Sequence, residues 1–211
     1  EEFRDKNFKK FSELTKIISF QYVHTARLNK IIINGYFDRG QEAIARSLKR
    51  INRYSAKMDA HKILVFYFKF AWIYFGNGNY AKSMFYLNKI VNNELPLLRV
   101  DLQIYSRILF LMCHYEMDNF DVFKYSISSF KPYINKVRDR YPIQEIMQET
   151  FLNLAESPKS THKATLKSAL TMLRDLQKNS SHKVSFTYLD VISWLEAKIE
   201  HRSLASIIRS K

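Results

Sequence analysis

The chain has 211 residues, of which 46% are hydrophobic and 26% are charged, and its formal net charge is +14. This hydrophobic content excludes a chain that is disordered over most of its length. Only 4 Gly and 4 Pro are present, too few for the closely spaced turns of an all-β fold. The basic excess is spread along the chain rather than concentrated in a tail, which is more typical of general surface charge than of a nucleic-acid-binding arm.

Hydrophobic periodicity predicts helices along the whole chain. The first helix is expected over about residues 3–34, ended by Gly35. Its predicted buried stripe is Phe8, Phe11, Leu14, Thr15, Ile18, Tyr22 and Ala26. Further helices are expected at about 38–58, 60–75, 80–92, 98–116, 119–134, 142–155, up to 177, and from 185 onward.

One helical hairpin in this series recurs. Residues Ile63–Val91 read as an aromatic helix, a Gly-Asn-Gly-Asn break and a second amphipathic helix. A weaker copy covers Leu102–Tyr133, with Asp118-Asn119-Phe120 in place of Gly78-Asn79-Tyr80. Recurrence of a helical hairpin is typical of a stacked α-solenoid, in which each repeat buries its apolar face against the next.

The clearest hairpin carries a specific pattern, Tyr67-x-x-Phe70-Ala71-x-x-Tyr74 followed by Ser83-x-x-x-Leu87 and, later, Pro96. This pattern resembles the tetratricopeptide repeat. The next hairpin departs from it at Arg107 and Phe123, and the first hairpin matches only through Gly35-Tyr36-Phe37. The interval of about 40 residues between Tyr80 and Phe120 exceeds the 34 of that family and leaves a HEAT-type solenoid open.

These observations predict an all-α fold, a right-handed stack of three to five helical hairpins with a C-terminal capping helix. We expect a single domain over residues 1–211, with tetratricopeptide-like hairpins over 1–135 and a further hairpin and the cap over 136–211. Because the chain begins with Glu1, we expect it to be part of a longer protein.

The resemblance implies a site on the inner face of the first helix of each hairpin. The residues at the matching positions are Val65, Phe68, Trp72, Phe75, Tyr105, Ile108, Met112 and Tyr115. Such an aromatic groove suits an amphipathic helix or an extended apolar peptide. The alternative is that the chain's own terminal segment or the neighbouring hairpin fills it. No inward cluster of Lys, Arg and Asn is expected there, so a clamp for a terminal carboxylate is not predicted.

A basic stripe on the second helix is the other candidate site. It comprises Arg46, Lys49, Arg50, Arg53 and Lys57, with no acidic residue inside it. Such a stripe can contact phosphates, and the neighbouring Tyr54 is placed to stack on a base. The alternative is a solvated outer face. The sequence therefore predicts a protein-binding scaffold, with a nucleic-acid-binding module as the second hypothesis.

Catalytic and metal-binding signatures are weak. The 6 histidines form no HExxH pattern, and the single cysteine, Cys113, lies in an apolar run where a buried small hydrophobe is expected. We therefore expect no enzyme activity, no cofactor and no metal. The apolar stretch 63–75 is too short for a bilayer and is interrupted by Lys69. We expect no membrane insertion of this segment and a cytoplasmic location, with a protein or peptide as partner.

Overall fold

The computed structural model describes residues 11–92, 100–136, 142–178, 186 and 188–211, without the side chains of 131–136. These segments form ten α-helices and no strand: α1 (Glu13–Ile33), α2 (Gly40–Tyr54), α3 (Ala60–Gly76), α4 (Tyr80–Val91), α5 (Val100–Glu116), α6 (Phe120–Lys136), α7 (Pro142–Glu156), α8 (His162–Lys178), α9 (Val191–Glu200) and α10 (Leu204–Arg209). The all-α prediction is therefore confirmed for the described residues. Residues 3–10 of the first predicted helix, and the predicted start of the last at Ser185, lie outside them.

Several helices begin after a residue whose side chain accepts a backbone hydrogen bond. Ser12 Oγ accepts from the N–H of Thr15 at 3.1 Å before α1, and Asp59 Oδ1 accepts from His61 at 2.9 Å before α3. Asn79 Oδ1 accepts from Lys82 at 3.1 Å before α4. Each cap satisfies a donor that would otherwise lack a partner and stabilises its helix by about 1 kcal/mol.

Three turns share one backbone geometry. Gly35, Gly78 and Asp118 each lie two positions after a helix end with a positive φ, of 63°, 74° and 54°. After each of them, the next N–H donates to a carbonyl five residues earlier, as in Asn79 N to Tyr74 O at 2.9 Å. This is the Schellman ending of a helix, which requires a residue in the left-handed region. The three turns that were aligned with one another from the sequence therefore have the same backbone geometry.

Helices that follow one another in the chain pack against each other in pairs. Contacts join α1 to α2, α3 to α4, α5 to α6, and α7 to α8. The first helices of successive pairs also touch, α1 with α3, α3 with α5, and α5 with α7. Each second helix contacts the first helix of the following pair. The pairs therefore share one continuous hydrophobic core.

The C-terminal helices leave the last pair and return to the first. Helix α9 packs on α8 and then on α10. From α10, Arg209 donates to the carbonyl oxygen of Gly35 through Nη2 at 2.8 Å and Nε at 3.1 Å. The sequence predicted a helix that caps only the final hairpin. That prediction was incomplete, because the end of the chain also contacts the turn between α1 and α2.

Candidate functional site

Helix α1 has two apolar faces, and the chain buries only one of them. Its buried residues are Ile17, Phe20, His24 and Leu28. Phe20 stacks on Phe66 of α3 with ring centroids 5.4 Å apart. The stripe predicted from periodicity faces the other way, since Leu14, Ile18 and Tyr22 are exposed. The predicted orientation of this helix was wrong, because the contacts with α2 and α3 are made by the stripe on a different side of the helix.

The exposed face of α1 forms one wall of a cleft. The cleft has a volume of about 650 Å³ and extends between α1 and α3 to Leu102 of α5 and Tyr188. Three exposed apolar side chains of α1 line it: Ile18, Tyr22 and Ile33. The wall formed by α3 includes Val65, Phe66, Phe68 and Trp72. Large apolar side chains thus remain open to solvent inside a concave surface.

Polar groups in the same cleft are few, and the charged ones are basic. Gln21, Thr25 and Asn29 contribute polar side chains from α1, and Lys62 and Lys69 come from α3. Lys69 Nζ donates to Asn29 Oδ1 at 2.6 Å. The described lining contains no Asp or Glu. The sequence predicted no inward cluster of Lys, Arg and Asn, but Asn29 and the two lysines lie along this cleft.

The eight residues predicted to form the groove divide into two groups. Val65, Phe68 and Trp72 line the cleft, although Phe68 and Trp72 present little surface to it, being 5% and 2% exposed. Phe75, Tyr105, Ile108 and Met112 are buried in the core, and Tyr115 is half-buried. Three of the four residues predicted on α3 therefore lie along the cleft, but the sequence did not indicate how little of their surface is accessible.

The chain's own C-terminal segment covers the aromatic face of α5. Tyr188 stacks on Tyr105 with ring centroids 5.3 Å apart. Trp194 meets Tyr115 edge to face at 5.8 Å, and His162 of α8 lies at the same distance from Tyr115. For this hairpin, the structure corresponds to the alternative in which the chain fills its own groove.

Three accessible residues of the cleft were not predicted as site residues from the sequence: Ile18, Tyr22 and Ile33. Their signal was present as two largely apolar stripes on different sides of one helix, 17-20-24-28 and 14-18-22. A helix that packs on one side needs only one such stripe. The surplus stripe was itself the indication of a second surface.

The predicted basic stripe lies on the surface. Arg46, Lys49, Arg53 and Lys57 are exposed and Arg50 is half-buried. Arg46 pairs with Glu42 and Lys57 with Glu13, and both carboxylates come from outside the stripe. The ion pair with Lys57 lowers the pKa of Glu13. The stripe therefore carries less unbalanced charge than its sequence suggests.

Tyr54 does not offer a stacking surface. It is 3% exposed and packs near Phe20, with ring centroids 6.1 Å apart. The guanidinium of Arg53 lies 5.5 Å from the Tyr54 ring centroid and covers it further. The prediction that this tyrosine could stack on a base was wrong, because the residue belongs to the core.

Cys113 and His114 are packed in the protein interior. Cys113 is buried, as predicted, and burial raises the pKa of its thiol to about 12. The ring of His114 packs edge-on against Phe110 at 4.8 Å, and burial lowers its pKa. A neutral histidine and a protonated thiol in these positions do not form an activated pair.

Among the described residues, His24 and Ser47 have the side-chain types and the short distance of a base and a nucleophile. His24 Nδ1 lies 2.9 Å from Ser47 Oγ. Ser47 Oγ donates its proton to the carbonyl oxygen of Ala43 at 2.8 Å. Histidine therefore acts as the donor toward serine, the opposite of the polarity that a general base requires. This pair links α1 to α2.

No group of three or more His, Cys, Asp or Glu side chains in the part of the chain that the structure describes converges to hold a metal ion. None of its helices combines the length and apolar character needed to cross a bilayer.

Comparison with protein-family models, with curated proteins and with solved structures gives no match for this chain.

Proposed function

We propose that this chain is a non-catalytic scaffold whose cleft between α1 and α3 binds a segment of another protein. The observation that carries this proposal is the second apolar face of α1, whose side chains Ile18, Tyr22 and Ile33 line the cleft while exposed to solvent. Contiguous exposed apolar surface in a concave site is typical of an interaction surface. Scattered surface hydrophobes would need no such explanation.

We further propose that the paired helices form a tetratricopeptide-like α-solenoid. The shared geometry of the three turns supports this, as does the close approach of α3 and α4 at two small residues. Ser83 Oγ donates to the carbonyl oxygen of Ala71 at 2.9 Å, and both residues are fully buried. The turn positions recur at about 43 and 40 residues, longer than the tetratricopeptide period of 34 and nearer to a HEAT-type period. The cleft lies on the first helices of the pairs in either case.

The test is site-specific photocrosslinking in cells of the native host. A photoreactive phenylalanine analogue replaces Tyr22 in the cleft or, as a control, Tyr125 on α6. These tyrosines are 75% and 76% exposed, so both positions should tolerate the substitution equally. We expect one polypeptide to crosslink at position 22, and also at 18 and 33, but not at 125.

Binding of that polypeptide, once purified, is then measured by calorimetry with Tyr22→Ser and Tyr125→Ser. Truncating an aromatic anchor in a cleft costs more than about 1 kcal/mol, so we expect at least a fivefold loss for Tyr22→Ser alone. Crosslinks confined to position 125, or equal binding by both variants, would reject the cleft as the site.

Nucleic-acid binding by the basic stripe is the second candidate. The exposure of Lys49 and Arg53, one turn apart on α2, favours it. Exposed ion pairs such as Arg46–Glu42 contribute little stability and can be exchanged for phosphate contacts. The test is fluorescence anisotropy with labelled single-stranded and duplex oligonucleotides at low salt. Binding that weakens with salt and on Lys49→Glu plus Arg53→Glu supports this candidate, and undetectable binding removes it.

A further inference from the structure

We infer that the occupant of the cleft is an amphipathic helix whose polar edge is acidic. This inference rests on the proposed function and adds the chemistry of the partner. Three features of the cleft carry it: the shape of the α1 wall, the scarcity of hydrogen-bonding groups, and the sign of the charges.

The α1 wall is one side of a single continuous helix. Ile18, Tyr22 and Ile33 are its exposed apolar residues, and the polar Thr25 and Asn29 lie between Tyr22 and Ile33. At 1.5 Å per residue helix α1, from Glu13 to Ile33, is about 30 Å long, which accommodates a partner helix of roughly 18 residues. Side-chain ridges of two helices pack into each other's grooves. A partner helix with apolar residues at three- and four-residue steps would cover this side of α1.

The cleft offers few partners to an extended peptide. An extended chain needs acceptors and donors for its backbone, because unpaired buried amides are costly. The described lining comes largely from helices, whose own backbone groups are already paired. Only Gln21, Thr25 and Asn29 supply neutral polar side chains from α1. A helix satisfies its backbone internally and therefore loses no backbone hydrogen bond on entering the cleft.

The charges favour an acidic partner. The exposed Lys62 and the half-buried Lys69 line the cleft, and its described lining includes no carboxylate. The whole chain carries a net charge of +14, which attracts an acidic segment at long range. The same charge opposes pairing with a second copy of this chain. An acidic edge on the partner helix would place carboxylates beside Lys62.

The experiment uses three fluorescent 18-residue peptides with the same leucine stripe. Their polar positions carry mainly Glu, Gln or Lys. Affinities are measured by anisotropy at physiological salt, and helix formation on binding is followed by circular dichroism. The protein variants form two matched pairs, Tyr22→Ser with Tyr125→Ser, and Lys62→Glu with Lys49→Glu. The lysine variants have identical net charge, but only Lys62 lines the cleft.

We expect the Glu peptide to bind about tenfold more tightly than the Gln peptide and to gain helicity. We expect Lys62→Glu to weaken it at least threefold beyond Lys49→Glu, as for a partly exposed ion pair. Tyr22→Ser should weaken it at least fivefold, and Tyr125→Ser should leave it unchanged.

Several outcomes would overturn the inference. If the Gln peptide binds as tightly as the Glu peptide, or if the two lysine variants behave alike, the acidic edge is rejected while the proposed function stands. Binding without a gain in helicity rejects the helical occupant. Self-association that Tyr22→Ser abolishes would make a second copy the occupant. If no peptide binds in a manner sensitive to Tyr22→Ser, the inference is rejected, and the crosslinking at positions 22 and 125 decides the proposed cleft function separately.

Discussion

Trp194 donates its indole N–H to the carboxylate of Glu116 at 2.7 Å, although 78 residues separate them. Lys198 Nζ donates to the other carboxylate oxygen at 2.9 Å, and the hydroxyl of Tyr80 donates to it at 3.3 Å. Glu116 ends α5, Tyr80 begins α4, and the other two belong to α9. One carboxylate therefore fastens the C-terminal helices to two turns of the stack.

We predict that Glu116→Ala lowers the free energy of unfolding by about 2–4 kcal/mol, because it leaves a buried indole donor and a lysine without their acceptor. Glu116→Gln should cost less, since its amide oxygen can still accept from Trp194. Chemical denaturation measures both. Glu200→Ala is the control, because its ion pair with Arg202 is exposed and worth under about 1 kcal/mol. Equal losses for Glu116→Ala and Glu200→Ala would contradict the proposed role of Glu116.

A second prediction concerns acid. Burial alone would raise the pKa of Glu196, but hydrogen bonds from Lys211 and Arg174, at 2.9 and 2.8 Å, outweigh burial and lower it. A carboxyl whose pKa is lower in the folded state stabilises the fold above the unfolded pKa. That contribution is lost as the pH falls through the folded value.

Wild type should therefore exceed Glu196→Gln in unfolding free energy by an amount of order 1 kcal/mol above about pH 5, and the difference should decline below about pH 4. Denaturation of both proteins at pH 7 and pH 3 measures this. A difference of the same size at both values would show that the ionised carboxylate is not what stabilises this contact.

Much of the fold could be predicted from local signals. The turn at Gly78-Asn79 and its copy at Asp118-Asn119 contain the residue types that tolerate a positive φ and cap the next helix. The ends of α3 and α5 accordingly fall within about one residue of the expected positions. Hydrophobic periodicity supplied the helices between these turns.

The orientation of α1 could not be predicted, because periodicity alone ranks two apolar stripes on one helix equally. Phe20 and Leu28 are buried while Tyr22 is exposed only because α2 and α3 approach from one side. Which stripe of α1 is buried decides where the accessible site lies. The sequence therefore predicted the site on α3 and α5, while the accessible wall is on α1.

The return of the C-terminal helices has no sequence signal of its own. Arg209 meets Gly35 across 174 residues, and nothing local to α10 specifies that contact. The sequence left open whether the groove at Tyr105 and Tyr115 is accessible or filled by the chain itself. It could not decide between them for the same reason, since Tyr188 and Trp194 approach from far along the chain.

Gly35 and Gly78 allow a matched test of whether α10 packs on the turn between α1 and α2. Both need a positive φ, so Gly→Ala at either position should cost about 1 kcal/mol in backbone strain. An added Cβ at Gly78 would meet nothing within 4 Å. At Gly35 it would lie 3.0 Å from the Ala205 carbonyl oxygen and 3.3 Å from Ile208 Cβ.

We therefore expect Gly35→Ala to lower the unfolding free energy by about 1 kcal/mol more than Gly78→Ala, because α10 must shift to admit the methyl group. Amide hydrogen exchange should speed up across 204–209 in Gly35→Ala and stay unchanged there in Gly78→Ala. Equal exchange in the two variants would mean that α10 is not seated on this turn.

The last prediction uses the single cysteine as a probe of the closed core. Cys113 has no exposed surface, and burial raises the pKa of its thiol to about 12. Since only the thiolate reacts, we expect almost no modification by iodoacetamide at pH 8 in the folded protein and rapid, single-site modification in guanidinium. The labelling rate should rise in Glu116→Ala, because loosening α9 makes transient opening of the stack more frequent. Rapid labelling of the wild type, with its helical circular dichroism intact, would show that solvent reaches the interface between α4 and α5, where the Cys113 sulfur lies 3.5 Å from Ser83 Oγ.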